Sequence, residues 1–392
     1  MELITSLQST YSNPFVASQP HADSTSCTVG PYDPILPAPI RLRLALRPAG
    51  DNSPLGWGTQ IAGVEIERGY NYVGLEERIR AGGVDWQAAL ALVEEICGCC
   101  SQANALAFVQ AAEAMANLIV PPRAAYLRLV LAETERIVSH LLNAADTLRA
   151  LGLRDKGAAL LDLRERIVHA VAEWSGARSR PGLIVYGGVA RDPEESDVRA
   201  LTLAARGVER ALRAQVTGMI NSREAAGRLV GLGVITAQEA VVAGLRGPVL
   251  RGSGVAADIR ATFPTGAYED EGVTIVVQRA GDAFSRLIVR LLECLESLRV
   301  IEQAMDDLPT GPSRGRGDME LRTGSAVGRA EGPRGEVFCW VQGGEDGLRG
   351  LHLSAGSFPS LGIVPGLLKG QRLEDLPLLI LSLDLCVPST ER

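Results

Sequence analysis

The sequence predicts an α+β fold that is mainly α: a bundle of long helices carrying a small N-terminal β-sheet and a C-terminal hairpin lobe. Three observations predict it. Apolar residues recur at three and four over long stretches, as in Phe284, Leu287, Ile288, Leu291, Leu295, Leu298, Ile301 and Met305. A proline doublet, Pro121–Pro122, opens a pattern that stops only at Gly152. Ile40–Leu46 and Ile61–Ile66 instead alternate apolar and polar, the period of half-buried strands.

Residues 1–29 are rich in Ser, Thr, Gln and Pro and read as an extended polar arm. Residues 30–84 hold the two alternating segments and a glycine-bounded loop from Glu67 to Glu77, an N-terminal β lobe. Asp85 is placed to cap a helix through Val93, which the Gly98 break ends. A second helix spans about Cys100 to Asn117, and the long helix after Pro122 follows. Further helices are expected over Lys156–Gly176, Glu194–Gly218, Ala237–Gly244 and Asp282–Asp307, completing a bundle over residues 85–308. Pro309–Gly317 reads as a linker. In the remaining lobe, 309–392, Glu336–Gln342 and Leu348–Leu353 read as a hairpin. A turn at Ser357–Ser360, a short helix and the apolar run Leu376–Leu383 follow, and the tail returns to the bundle.

Composition narrows the partners. A chain of 392 residues with a formal charge of -7 argues against nucleic acid as a general partner. No apolar run reaches the roughly 18 residues of a spanning helix. The arm lacks a basic start and a continuous apolar stretch, so it is not read as a signal peptide. The seven cysteines are therefore expected as reduced thiols in the cytoplasm, where clustered Cys more often bind metal than pair.

Chemistry concentrates in two short stretches. Cys97 and Cys100 are three apart at a helix start, so they share a face and the helix N-terminus favours the thiolate. Cys386 stands near the other end, three residues before Ser389. Taken by residues alone, both stretches read either as metal ligands or as small buried side chains. No second pair or nearby His completes a zinc set, and a helix precedes the C-x-x-C where a thioredoxin-like motif needs a strand. His140 reads as a packed, hydrogen-bonded histidine. Arg191 and Arg251, in glycine-rich turns, either line a cavity or form salt bridges.

The stretch Ile96-Cys97-Gly98-Cys99-Cys100-Ser101 to Ala111 resembles the first metal motif of the large subunit of membrane-bound, energy-converting NiFe-hydrogenases, homologues of the quinone-site subunit of respiratory complex I. Pro121–Arg128, Glu135–Leu142, Gly187–Asp192, Gly247–Val255, Asp258–Arg260, Pro333–Glu336, Ser357–Leu361 and the terminus follow in the family's order. The resemblance implies a NiFe-hydrogenase large-subunit-like fold. It implies Cys97 and Cys386 as terminal nickel ligands and Cys100 as a thiolate bridging to iron. Ser389 stands at the second bridging position, a harder donor than thiolate. Leu385 replaces a proline, Asn104 a histidine close to the metal, Glu95 an arginine, and Tyr72–Val73 a His-Arg pair. Complex I members use a tyrosine where Phe108 stands, and a histidine near Tyr72, to approach the quinone.

The implied function is that of the active-site subunit of a membrane-bound oxidoreductase, a peripheral subunit on the cytoplasmic face. It would exchange electrons with an iron-sulfur small subunit, which carries the iron-sulfur cluster, beside other peripheral-arm subunits and ion-translocating membrane subunits. Glu76 reads either as a proton relay near the metal or as an exposed loop glutamate, and Asp384 as the brace of the terminal cysteine turn. Three readings of the site stay open: a nickel-iron or altered metal centre on Cys97, Cys100, Cys386 and Ser389; a metal-free cavity reducing a quinone, with Tyr72, Asn104 and Phe108 around it, or a sulfur compound; or a non-catalytic transducer.

Overall fold

A computed structural model describes residues 25–33, 36, 38–48, 58–178, 181–315, 323–345 and 347–392. In chain order the N-terminal lobe holds β1 (Thr25–Val29), β2 (Arg41–Arg47) and β3 (Gln60–Glu67), an antiparallel sheet in the order β1-β2-β3. Residues 1–24 of the expected arm lie outside the described residues. Its last five residues differ from the expectation: Thr25–Val29 pair with β2, Cys27 opposite Leu44, because β-branched Thr25, Thr28 and Val29 suit a strand.

Short helices α1 (Leu75–Ala81) and α2 (Trp86–Glu95) follow, the latter capped by Asp85, whose carboxylate accepts from the Ala88 N–H at 2.7 Å. Next come α3 (Ser101–Ala116), α4 (Pro122–Ala150), α5 (Arg154–Ser175), the ribbon β4 (Ile184–Val185) and β5 (Gly188–Val189), and α6 (Glu195–Ile220). Five short helices, α7 (Arg223–Leu229), α8 (Ala237–Val242), α9 (Gly247–Gly252), α10 (Ile259–Thr262) and α11 (Tyr268–Glu271), lead to α12 (Ala283–Asp306). Helices α4, α5, α6 and α12 pack into the expected bundle.

The C-terminal lobe differs from a two-stranded hairpin. It is a three-stranded antiparallel sheet, β6 (Gly324–Gly332), β7 (Gly335–Gly344) and β8 (Gly347–Ser354), laid on α3. Gly328 permits that approach, since a Cβ there would fall 2.0 Å from the Ala107 carbonyl oxygen. α13 (Ser357–Leu368) and α14 (Leu376–Leu383) follow, α14 packing on α4 and α12, and the tail ends in a 3-10 turn at Pro388–Thr390. Among the described residues, no helix is long and apolar enough to cross a membrane.

The bundle interior is not purely apolar. Glu133 on α4 accepts from Tyr268 Oη at 2.5 Å, Ser297 Oγ at 2.6 Å, Arg260 at 2.9 Å and Arg136 at 3.2 Å. Arg251 is fully buried and binds Glu293 at 2.6 Å, Glu331 at 2.8 Å and Asp258 at 3.3 Å. Glu293 also meets His140 Nε2 at 3.0 Å. Burial, assisted by Arg136 and Arg290, outweighs the Glu293 carboxylate and lowers the His140 pKa to about 4, so the ring is neutral at pH 7. Of the open readings for Arg251 and His140, the observed contacts are the salt bridge and the packed histidine.

Candidate thiol centre

The first cysteine stretch is a turn between two helices. α2 ends at Ile96, the Cys100 N–H bonds to the Cys97 carbonyl at 3.2 Å, and Cys100 begins α3. The first N–H groups of α3 need acceptors. Glu135 on α4 supplies them, taking the Gln102 N–H at 2.9 Å, the Ala103 N–H at 3.0 Å and Ser101 Oγ at 3.2 Å. A carboxylate at the positive end of the helix thus pins the cysteine turn to the bundle.

The second stretch arrives from α14. Asp384 takes a left-handed conformation, φ 53°, and turns the chain so that the Cys386 N–H donates to Ser357 Oγ at 3.0 Å. Cys386 Sγ then lies 3.0 Å from Cys97 Sγ and 2.9 Å from Ser389 Oγ, and Cys97 Sγ lies 3.6 Å from Cys100 Sγ. All three sulfurs fall within 4.8 Å of one another. The convergence expected of the two stretches is therefore what the fold produces.

A residue that sequence reasoning did not single out completes the cluster. Arg334, at the β6–β7 turn, donates to Cys100 Sγ at 3.4 Å, to the Asp384 carbonyl at 2.8 Å and to Asp384 Oδ1 at 2.8 Å. Its block, Pro333–Glu336, was the available signal. Burial opposes its charge, but Asp384 and the thiols outweigh burial and raise its pKa. Arg290 lies 3.7 Å from Asp384 Oδ2, which has no hydrogen bond. Hydrogen bonds from Cys100 and Cys97, with the Arg334 charge, hold Cys386 well below an ordinary thiol.

The other anticipated residues are spread around this point. Asn104 is fully buried one turn beyond Cys100, with Nδ2 on the Val93 carbonyl at 3.4 Å and Oδ1 unpartnered. Glu76 sits in the first turn of α1, bound by Arg392 at 2.9 Å and His352 at 3.2 Å, and Arg392 reaches the Ser389 carbonyl at 3.3 Å. Phe108 is enclosed in the core, its ring 6.0 Å from Trp86 and 6.3 Å from Tyr186. Tyr72 is exposed and hydrogen-bonded to Glu77, and Arg251 belongs to the ionic network. Two cavities, of about 370 and 310 Å³, share Cys99, Ser139 and Leu142 as a common wall, and Arg334 and Asp384 line the larger.

The donor set can be tested against the metals the resemblance implies. Ligands about 2.3 Å from one tetrahedral ion lie about 3.8 Å apart, a spacing these sulfurs can meet with small side-chain shifts. Soft thiolates beside a guanidinium fit one thiophilic ion. They do not fit a nickel-iron pair bridged by two thiolates, because the fourth donor, Ser389 Oγ, is a hydroxyl.

The chain matches the family described as respiratory-chain NADH dehydrogenase, 49 Kd subunit, over residues 156–320 and 315–392. It is 30% identical to a subunit of the F(420)H(2) dehydrogenase of Methanosarcina mazei over 93% of this chain and 96% of that one. It is 31% identical to the alpha subunit of the membrane-bound hydrogenase of Pyrococcus furiosus over 86% of this chain and 82% of that one. A solved chain of the membrane-bound sulfane sulfur reductase, an archaeal respiratory membrane complex, has the same fold, with a TM-score of 0.86 over 96% of this chain and 100% of that chain at 24% identity. With fold, block order and matched residues in agreement, the chain belongs to the family of the respiratory-chain NADH dehydrogenase 49 Kd subunit and the membrane-bound hydrogenase large subunits.

Proposed function

We propose that this chain is the large, active-site subunit of a membrane-bound oxidoreductase complex and that its reaction runs at Cys97, Cys100 and Cys386. One observation carries the reading: three thiols from opposite ends of the chain meet within 4.8 Å, with a partly buried guanidinium on one of them. A purely structural tail would need no such convergence. The names of the relatives, a dehydrogenase subunit and a membrane-bound hydrogenase subunit, support the setting. In it an iron-sulfur small subunit exchanges electrons with the thiol centre, and ion-translocating membrane subunits lie on the far side of the peripheral arm.

Cys97, Cys100 and Cys386 would hold one thiophilic ion, which when bound supplies a Lewis-acidic, redox-capable centre. Arg334 holds the negative charge of the cluster and Asp384 orients Arg334. Ser389 stays a hydrogen-bond partner of Cys386 rather than a bridge. A metal-free second reading, reduction of a sulfur compound by the thiols themselves, is favoured by the 3.0 Å approach of Cys386 to Cys97.

Metal analysis of the anaerobically purified complex tests the pair. Roughly one ion per chain, lost in Cys386→Ala together with viologen-linked turnover, is the expected result. Turnover of polysulfide without metal selects the second reading. Viologen oxidation with protons, polysulfide or a short-chain quinone that survives replacement of all three cysteines would sink both and leave a transducer.

A further inference from the structure

Any reduction at the thiol centre consumes protons, yet Cys100 and Cys386 are only 5% and 4% exposed. Electrons from a partner subunit do not bring protons with them, so the chain needs a proton entry of its own. The smaller cavity, about 310 Å³, is placed to be one. Cys99 and Ser101, which flank the motif thiol Cys100, form one wall of it. Cys99 is tied to the centre, its N–H donating to Cys97 Sγ at 3.4 Å.

Glu94, on the last turn of α2, lines the same cavity. It is 3% exposed, and Oε2 takes the Gly182 N–H at 2.8 Å while Oε1 has no protein partner. Ser139 Oγ, 3% exposed, and Arg164 Nε line the cavity and are likewise unpartnered. Buried polar atoms without partners are costly, and a cavity of this size with several such atoms on its wall has room for bridging waters, at about 30 Å³ each. The carboxylates of the ionic network deeper in the bundle are each held by an arginine.

We propose that Glu94 is the proton-loading group of the thiol centre, passing protons to it through the cavity it shares with Cys99 and Ser101. The proposal rests on the reading that a reduction runs at the centre. For each two-electron reduction, two electrons come from the iron-sulfur partner and two protons leave the Glu94 carboxyl in turn. After each transfer the carboxylate is reprotonated from bulk water through the cavity mouth. The electrostatics agree. Burial, partly offset by the Gly182 N–H, raises the Glu94 pKa to about 7, with Glu135 and Glu95 adding to the rise. Arg164 and Arg178 are the cations on the cavity wall. Arg164 already pairs with Glu165 at 2.5 Å, and Arg178 binds the same carboxylate. A carboxyl half-protonated near neutrality both gives and retakes a proton readily.

Infrared titration of the anaerobically purified complex, wild type against Glu94→Gln and Glu94→Asp, tests the assignment. A protonated-carboxyl band that titrates near neutral pH in the wild type and is missing from Glu94→Gln is expected. So is a viologen-linked rate with polysulfide or protons lowered about 100-fold in Glu94→Gln, at unchanged acceptor KM and metal content, and largely restored in Glu94→Asp. A wild type with no such band, or a Glu94→Gln complex with the wild-type pH profile, overturns the proposal. The band is read in the resting complex. A silent wild-type turnover assay with the band present therefore overturns the function reading, whereas a missing band overturns only the role of Glu94.

Discussion

The bundle holds two buried polar clusters that differ in how their carboxylates are met. Around Glu133 and Arg251 three arginines meet four carboxylates and the neutral His140, and every carboxylate has a cation on it, although Arg251 Nη2 and His140 Nδ1 have no hydrogen-bond partner. Around Cys386 the charges are fewer and several polar atoms are left unmatched. Asp384 Oδ2, Asn104 Oδ1 and, in the adjoining cavity, Ser139 Oγ and Glu94 Oε1 have no hydrogen-bond partner. A buried group left unmatched costs stability, so a fold tolerates it where something outside the chain is to be met. The closed cluster holds helices α4, α9 and α12 to the C-terminal sheet. The open one is poised for chemistry.

That contrast can be broken from the closed side first. Arg251→Ala takes the cation from Glu293 and Glu331 in the core, while Asp258 keeps Arg260, and a loss of about 3–5 kcal/mol is expected in urea unfolding. A variant that melts like the wild type would show that the network is dispensable. Arg334→Ala leaves the thiol charge unpaired and Asp384 with only the 3.7 Å contact to Arg290, and an expected loss of about 2–3 kcal/mol accompanies a rise in the Cys386 pKa, read by the pH dependence of alkylation.

The closed cluster also has a pH signature. His140 has a folded pKa depressed to about 4, below the unfolded value of about 6.5, so unfolding takes up a proton between those limits. Its contribution is present above about pH 6.5 and is lost as the pH falls toward 4, on the order of 3 kcal/mol. Melting curves over that window should show a slope that flattens in His140→Gln. At the open end, Cys386→Ala removes a small side chain and is expected to cost about 1 kcal/mol while abolishing any bound metal, a separation of stability from function that no residue of the closed cluster should show. The smallest expected effect on stability, below about 1 kcal/mol, belongs to Ser389→Cys, a near-isosteric swap at a buried position. It supplies the fourth thiol, and metal content measured by elemental analysis should rise.

Much of this was legible in the residues. Pro121–Pro122 and Gly152 bound α4 to within two residues, since proline starts and glycine stops a helix whatever surrounds it. β6 was not legible. Gly324-Ser325-Ala326-Val327-Gly328-Arg329-Ala330-Glu331-Gly332 has little β-propensity, and it is a strand because small residues let it lie against α3. At the site, spacing and block order pointed to the cysteines. Arg334, Glu135 and Ser357 come from a sheet turn, a bundle helix and the start of α13, and no local pattern says that these three points meet. The placements of Phe108 and Tyr72 likewise depend on how α3 and the loop before α1 are turned, which only tertiary packing decides.

The tail carries one more consequence. Beyond Cys386, Glu391 accepts the N–H groups of Gly69 and Asn71, both at 2.8 Å, and Arg392 grips Glu76 at 2.9 Å. The thiols so joined are 289 residues apart, and closing a loop of that length costs about 5 kcal/mol of chain entropy. Cys97 and Cys100 are made early and wait as an incomplete pair through the synthesis of nearly the whole bundle. The centre is therefore a late product of folding, assembled when the tail docks, and the Glu391 clamp sets how firmly that final step is held.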